Sequence, residues 1–213
     1  MILSEEADVS FFRKLASLLK KISKHYKIFV VVGGGNVARD YIKLGRELRF
    51  DEKTLDSIGI YVTRVNAKIL TNIIEESNKD IPSTTSGAID IDKPIVVMGG
   101  TTPGHSTDMV GAELAEKTGA YLLIISTNVD GIYDKDPNKF PTAKQLKEVK
   151  IDQLIERYGV KWKSAGKNIV IDGPALEVIK RAELVTYVVN GKRLDQLEKA
   201  LTNQSFDGTK ITI

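Results

Sequence analysis

The sequence predicts an α/β fold built on a mainly parallel sheet with helices on both faces, and two observations carry that prediction. Continuous apolar runs at 27–32, 94–98, 120–126 and 185–189 have the length and β-branched content of strands buried on both faces. Between them lie longer segments whose apolar residues recur at helical spacing, and strands alternating with helices imply right-handed crossovers.

The elements follow in order. Residues 11–22 place apolar side chains at 11, 12, 15, 18, 19 and 22 with lysines opposite, and Ser10 suits the cap of that helix. The strand at 27–32 ends at Gly33, Gly34 and Gly35, and helical spacing resumes over 36–48 and again over 51–74. Residues 77–92 read as a loop or lid. The strand at 94–98 passes through a turn at 99–106 into a helix over 107–118 that stops at Gly119. After the strand at 120–126, residues 127–137 form a polar loop marked by Gly131, Asp136 and Pro137. Helices are expected at 151–158, 174–183 and 194–201, a basic loop at 161–168, a strand at 185–189 and an edge strand at 210–213.

With 213 residues, 42% hydrophobic and 28% charged, the chain is an ordinary globular domain, read as one domain. The 31 basic and 28 acidic side chains are interspersed, so a net charge of +3 gives no basic face and no support for nucleic-acid binding. No cysteine is present, which excludes disulfides, zinc–thiolate sites and thiol nucleophiles and fits a reducing cytoplasmic setting. No apolar run approaches the roughly 20 residues that span a bilayer, so no membrane partner is expected. The first ten residues, with Glu5, Glu6 and Asp8, lack the basic and apolar regions of a signal peptide.

Ligands of parallel sheets gather at the carboxyl ends of the strands, where three turns meet. The first, 33–35, offers bare N–H groups and a helix dipole to an anion, with Arg39 one turn on, either aimed at a phosphate or solvated. Gly33-x-Gly35-x-x-Ala38 also satisfies a dinucleotide fingerprint, but residues 51–60 are polar and helical where the second strand of such a unit belongs, and no P-loop pattern occurs. The second turn, 99–108, joins three glycines to Thr101, Thr102, Ser106, Thr107 and Asp108, more hydrogen-bonding groups than a connector needs, whereas His105 alone is no catalyst. The third, 127–137, could present polar groups to a nucleoside and Tyr133 for stacking. Lys161, Lys163 and Lys167 could reach phosphates or stay in solvent.

Read together, Val-Val-Gly-Gly-Gly-x-x-Ala-Arg-x-Tyr-Ile at 31–42, Leu-Asp-x-Ile-Gly and Thr-Arg-Val-Asn-Ala within 55–67, Met-Gly-Gly-Thr-x-Pro-Gly-His-Ser-Thr-Asp at 98–108 and Thr-Asn-Val-Asp-Gly-Ile-Tyr-Asp-Lys-Asp-Pro at 127–137 resemble the archaeal-type uridylate kinases of the amino-acid kinase superfamily. The likeness continues through Ala165-Gly166 and 170–172 to 188–191.

The resemblance implies a three-layer αβα sandwich, transfer of the γ-phosphoryl of ATP with Mg2+ to UMP, and a homohexamer built from dimers. It divides the chain into an acceptor part, about 1–108, and an ATP part, about 109–213. It places Gly34, Asp56, Thr102, Pro103, Gly104, His105, Ser106, Thr107 and Asp108 on the UMP side, with Asp108 the catalytic candidate and Asp56 suited to ribose hydroxyls. Gly35, Arg39, Thr127, Asn128, Tyr133 and Asp136 fall on the ATP side, and no protein metal site is implied. The family opens with a strand ending in a Lys-x-Gly-Gly-Ser-like turn that holds the transferring phosphoryl. This chain opens Met-Ile-Leu-Ser-Glu-Glu, past that turn, so the expectation is a sheet without its first strand and a start upstream of Met1, or a shortened relative. Alternatives are kinases of carbamate or isopentenyl phosphate, or a nucleotide-binding or storage protein without turnover.

Overall fold

The computed structural model describes residues 9–160 and 170–213, so the expected basic loop at 161–168 lies outside the described residues. Along the chain come α1 (Val9–Ile22), β1 (Ile28–Val31), α2 (Gly35–Glu47), α3 (Glu52–Ile73), α4 (Thr85–Ile89), β2 (Ile95–Met98), α5 (Thr107–Thr118), β3 (Leu123–Thr127), β4 (Ile132–Tyr133), β5 (Gln145–Leu146), β6 (Glu148–Lys150), α6 (Ile151–Tyr158), α7 (Gly173–Arg181), β7 (Thr186–Asn190), α8 (Leu194–Leu201) and β8 (Gly208–Thr212).

Local chemistry sets the helix ends. Asp51 caps α3 by accepting from the Thr54 N–H at 2.9 Å, and Ser106 caps α5 by accepting from the Met109 N–H at 2.9 Å. Gly119 closes α5 in the left-handed region at φ 60°, a conformation that favours glycine. Ser10 falls inside the first turn of α1 and not at its cap.

The layers can be read from β2, whose four residues are fully buried. Ile95 and Val97 point to the layer of α1 and α3, packing with Leu15, Leu19, Ala67 and Leu70. Val96 and Met98 point the other way, to Ala88 of α4 and to Val110 and Leu114 of α5. Burying each such side chain contributes roughly 1.5–3 kcal/mol. A second core joins Ala112 of α5, Leu123 and Ile125 of β3, Leu176 and Ile179 of α7 and Val188 of β7.

The expected α/β class with mainly parallel strand pairing holds, and among the described residues the strands fall into three paired groups, of which β4 and β5 are a short antiparallel pair. β1 pairs with β2 in parallel, and a second sheet runs β3-β7-β8-β6, with β7 and β8 antiparallel and the other pairs parallel. The expected edge strand near the carboxyl terminus is thus interior, held by β7 on one side and β6 on the other. β6 escaped sequence reading because its three residues, Glu-Val-Lys, carry one apolar side chain. The 77–92 segment is not a free lid either. Asn78 is buried and clasps β2, accepting from the Val97 N–H at 2.6 Å and donating to the Val97 carbonyl at 2.9 Å, and α4 is packed by Ala88.

The two sheets face each other across a slot. A Cβ placed on Gly111 of α5 would stand 3.9 Å from Leu123 of β3 and 4.0 Å from Val31 of β1, so this helix lies beneath both strands. The Tyr26 and Tyr121 rings, 5.4 Å apart, mark one end. Ile28 and Val32 donate to β2-side carbonyls, so the intervening Phe29 and Val31 turn their N–H and C=O groups into the slot. By the same alternation Ile124 and Ser126 of β3 turn theirs toward it from the opposite side. Among the described residues no strand pairs there.

Candidate functional site

A cavity of about 1200 Å3 runs from the slot to the carboxyl ends of β1 and β3, where the glycine turns meet. Gly34, Gly35 and Arg39 line it from the first turn, His105, Ser106, Thr107 and Asp108 from the second, Thr127 and Asn128 from the third, and Asp56 from α3. Thr102, Pro103, Gly104, Tyr133 and Asp136 do not line it. Gly104 nevertheless belongs to its wall, because its N–H donates to Asp56 Oδ2 at 2.6 Å. Its φ of 86° is one that side chains rarely adopt.

The first turn is shaped by what surrounds it. Gly35 opens α2 at φ 64°, and a Cβ on Gly34 would sit 2.4 Å from that of Ala38, so no side chain fits there. With the backbone bare, the first N–H groups of α2 face the cavity and suit an anion. Arg39 is exposed and bonds Asn36 Oδ1.

The second turn is held from behind by α3. Thr63 Oγ1 accepts from the Gly100 N–H at 2.7 Å. Arg64 donates to the carbonyls of Gly100 and Thr101, both at 3.1 Å. Asn66, almost wholly buried, donates to the carbonyls of Gly33 at 2.9 Å and Gly34 at 3.3 Å, so one helix fixes both glycine turns. Sequence reasoning quoted these residues inside a motif without giving them a task. Their signal was a run of polar residues on the face of α3 that also carries buried Leu55, Ala67 and Leu70.

Two carboxyls face each other at the start of α5. Burial, and then the charge of Asp172, push the Asp108 carboxyl up to about 7. Asp172 is also raised by burial, against the opposing effect of the Ser106 hydroxyl and the Ala175 N–H, which donates at 2.9 Å and makes Asp172 the cap of α7. Asp172 and Lys192 line the cavity without having been singled out. The former was legible as Asp-Gly-Pro before a helix, the latter as the first cation after the turn that closes β7.

The third turn is braced rather than free. Gly191 donates to the Thr127 carbonyl at 2.9 Å, and Asp130 accepts from Asn190 at 3.0 Å and Arg193 at 3.2 Å. Beyond it Tyr133 lies in β4, with its carbonyl taken by Arg157 at 2.7 Å. Asp136 is exposed and accepts from the Asn138 N–H at 3.0 Å in a local turn. The structure thus brings the Gly35, Arg39, Thr127 and Asn128 candidates to the cavity and leaves Tyr133 and Asp136 outside its lining.

The family model described as "Amino acid kinase family" matches residues 2–190. The chain belongs to the amino acid kinase family. Among curated relatives of this amino acid kinase, the uridylate kinase of Methanobrevibacter smithii is 42% identical over 213 residues, covering 99% of this chain and 94% of the relative. That of Thermococcus kodakarensis is 41% identical over 198 residues, covering 90% and 87%. The crystal structure of uridylate kinase from Archaeoglobus fulgidus superposes with a TM-score of 0.85 at 37% identity, covering 96% of this chain and 94% of that one.

Proposed function

We propose that this amino acid kinase transfers the γ-phosphoryl of ATP to UMP, giving UDP and ADP. The observation that carries the reading is the likeness to proteins named uridylate kinase, which runs nearly end to end at about 40% identity.

The chemistry asks for positioning and charge neutralisation more than for a base, and the cavity supplies groups of that kind. The amino ends of α2 and α5 open on it, and Arg39 and Lys192 line it as cations. Asp56, oriented through the oxygen that Gly104 holds, is suited to accept from ribose hydroxyls, and Thr107 and Ser106 are suited to the acceptor phosphate. Thr127 and Asn128 offer polar groups to the donor. Mg2+ arriving with ATP supplies neutralisation of the phosphate charge. Asp108 and Asp172 fit it, because two carboxyls with raised affinity for protons are a donor pair in want of a cation, and Mg2+ commonly takes one or two carboxylates besides phosphates. A homohexameric assembly belongs to the same reading.

The test is product identification with UMP, CMP, carbamate and isopentenyl phosphate as separate acceptors. UDP as the dominant product supports the reading; a carbamoyl or isopentenyl product in excess overturns it. A nucleotide-binding protein without turnover would yield none of the four.

A further inference from the structure

Outside the cavity, a chain of charged side chains ties the third turn to the start of β8. Arg193 Nη1, just before α8, donates to Asp130 Oδ1 of the third turn at 3.2 Å and to Asp207 Oδ2, just before β8, at 2.6 Å. Asp207 also accepts from Lys147 Nζ at 2.5 Å, and its backbone N–H donates to Gln196 Oε1 at 2.7 Å. Lys147, and then Arg193, pull the Asp207 carboxyl down to about 2, so this strut stays charged at neutral pH. Arg193, Asp130 and Asp207 do not themselves line the cavity.

The strut holds the part of the third turn nearest the cavity. Upstream, the Gly191 N–H holds the Thr127 carbonyl; downstream, the Ile132 N–H donates to Thr209 Oγ1 at 2.8 Å. Asp130 is anchored between them, two residues after Asn128, which lines the cavity. Asp130 also accepts from Asn190 Nδ2 at 3.0 Å, and Asn190 Oδ1 accepts from the Lys192 N–H at 3.0 Å. The turn that carries Lys192 and the turn that carries Thr127 and Asn128 therefore meet at one carboxylate, and Arg193 fixes where that carboxylate stands.

The three side chains are 36% to 38% exposed, and ion pairs so placed add little to the fold. Their loss is expected to be felt in the position of the turn more than in stability.

We propose that Arg193 is a positioning residue for the donor nucleotide: by bridging Asp130 to Asp207 it sets Thr127, Asn128 and Lys192 in place for ATP. This rests on the proposed kinase reading, in which those groups face the donor.

Calorimetric titration of ATP and of UMP, each alone, tests the assignment without turnover. Arg193→Ala should raise the Kd for ATP by roughly fivefold or more, with UMP within about twofold and Tm within about 4 °C. Arg193→Lys keeps the charge but falls one atom short of bridging both carboxylates, so ATP should weaken by roughly threefold or more. Asp207→Ala discriminates by sign. Removing a negative charge near an anion's site should tighten ATP if charge alone acted, whereas loss of the strut should weaken it by roughly threefold or more. Arg181→Ala, which breaks the Arg181–Glu116 pair between α7 and α5, should leave ATP within about twofold. An ATP Kd unchanged in Arg193→Ala, or as low in Arg193→Lys or Asp207→Ala as in the unsubstituted chain, overturns the assignment. So does equal weakening of ATP and UMP together with a fall in Tm, the mark of a merely structural pair. Failure of the kinase reading is distinct, because then no form of the protein makes UDP while the ATP titrations still decide the role of Arg193.

Discussion

At the residue scale, Asp108 is the most informative group. Its carboxyl holds a proton up to about 7, above its ordinary value, because it is desolvated and faces Asp172. A carboxyl whose folded pKa is raised binds more protons folded than unfolded, so its contribution to stability is greatest below about 4 and declines as pH rises toward 7. Asp108→Asn should therefore raise Tm more at pH 8 than at pH 5, and change it least below about pH 4, in thermal scans without nucleotide. The same substitution should lower kcat by at least tenfold, since the charge that suits the metal–phosphate cluster is gone. Equal Tm shifts at both pH values would contradict the assigned burial and pairing. Asp56 tests the acceptor side. Asp56→Ala removes the acceptor of the Gly104 N–H and, on the proposed reading, the group offered to the ribose, so steady-state kinetics should show the KM for UMP rising by tenfold or more with ATP within about twofold.

At the scale of elements, the open edges of β1 and β3 have a direct observable. The amides of Phe29, Val31, Ile124 and Ser126 turn away from the paired neighbours β2 and β7, so hydrogen exchange there should be faster than at β2 and β7 positions of like burial. Equal protection would mean that the slot is filled. Much of this element level was legible in the sequence. α5, α6 and α8 run over the residues expected, because Ser106 and Gly119 bracket the first of them and the other two have strong helical periodicity. The central strands stood out because apolar runs ending in glycine or asparagine leave few alternatives. What escaped depended on distant partners. β8 is interior only because β6, with one apolar residue, pairs beside it, and the 77–92 segment looks like a loop until Asn78 is seen clasping β2. Likewise Asp56 and Gly104 could each be marked from sequence, but the 2.6 Å bond between them, spanning the fold, could not.

At the scale of the whole molecule, two sheets share α5 beneath a slot, and three turns from different parts of the chain meet at one end of it. The second turn is fixed by α3 and the third by the Gly191 and Asp130 contacts, so the cavity is bounded by two separately braced walls, an arrangement that suits the two substrates proposed for it. No helix among the described residues is long and apolar enough to cross a membrane. If Mg2+ arrives with ATP as proposed, removing it with a chelator should abolish phosphoryl transfer while leaving the thermal unfolding profile of the nucleotide-free protein unchanged. The central claim is tested most directly by mixing the protein with ATP, Mg2+ and UMP and following ADP and UDP together. The account predicts ADP release that depends on UMP and matches UDP one for one; ADP that forms equally without UMP, or no UDP despite measurable binding of both nucleotides, would contradict it.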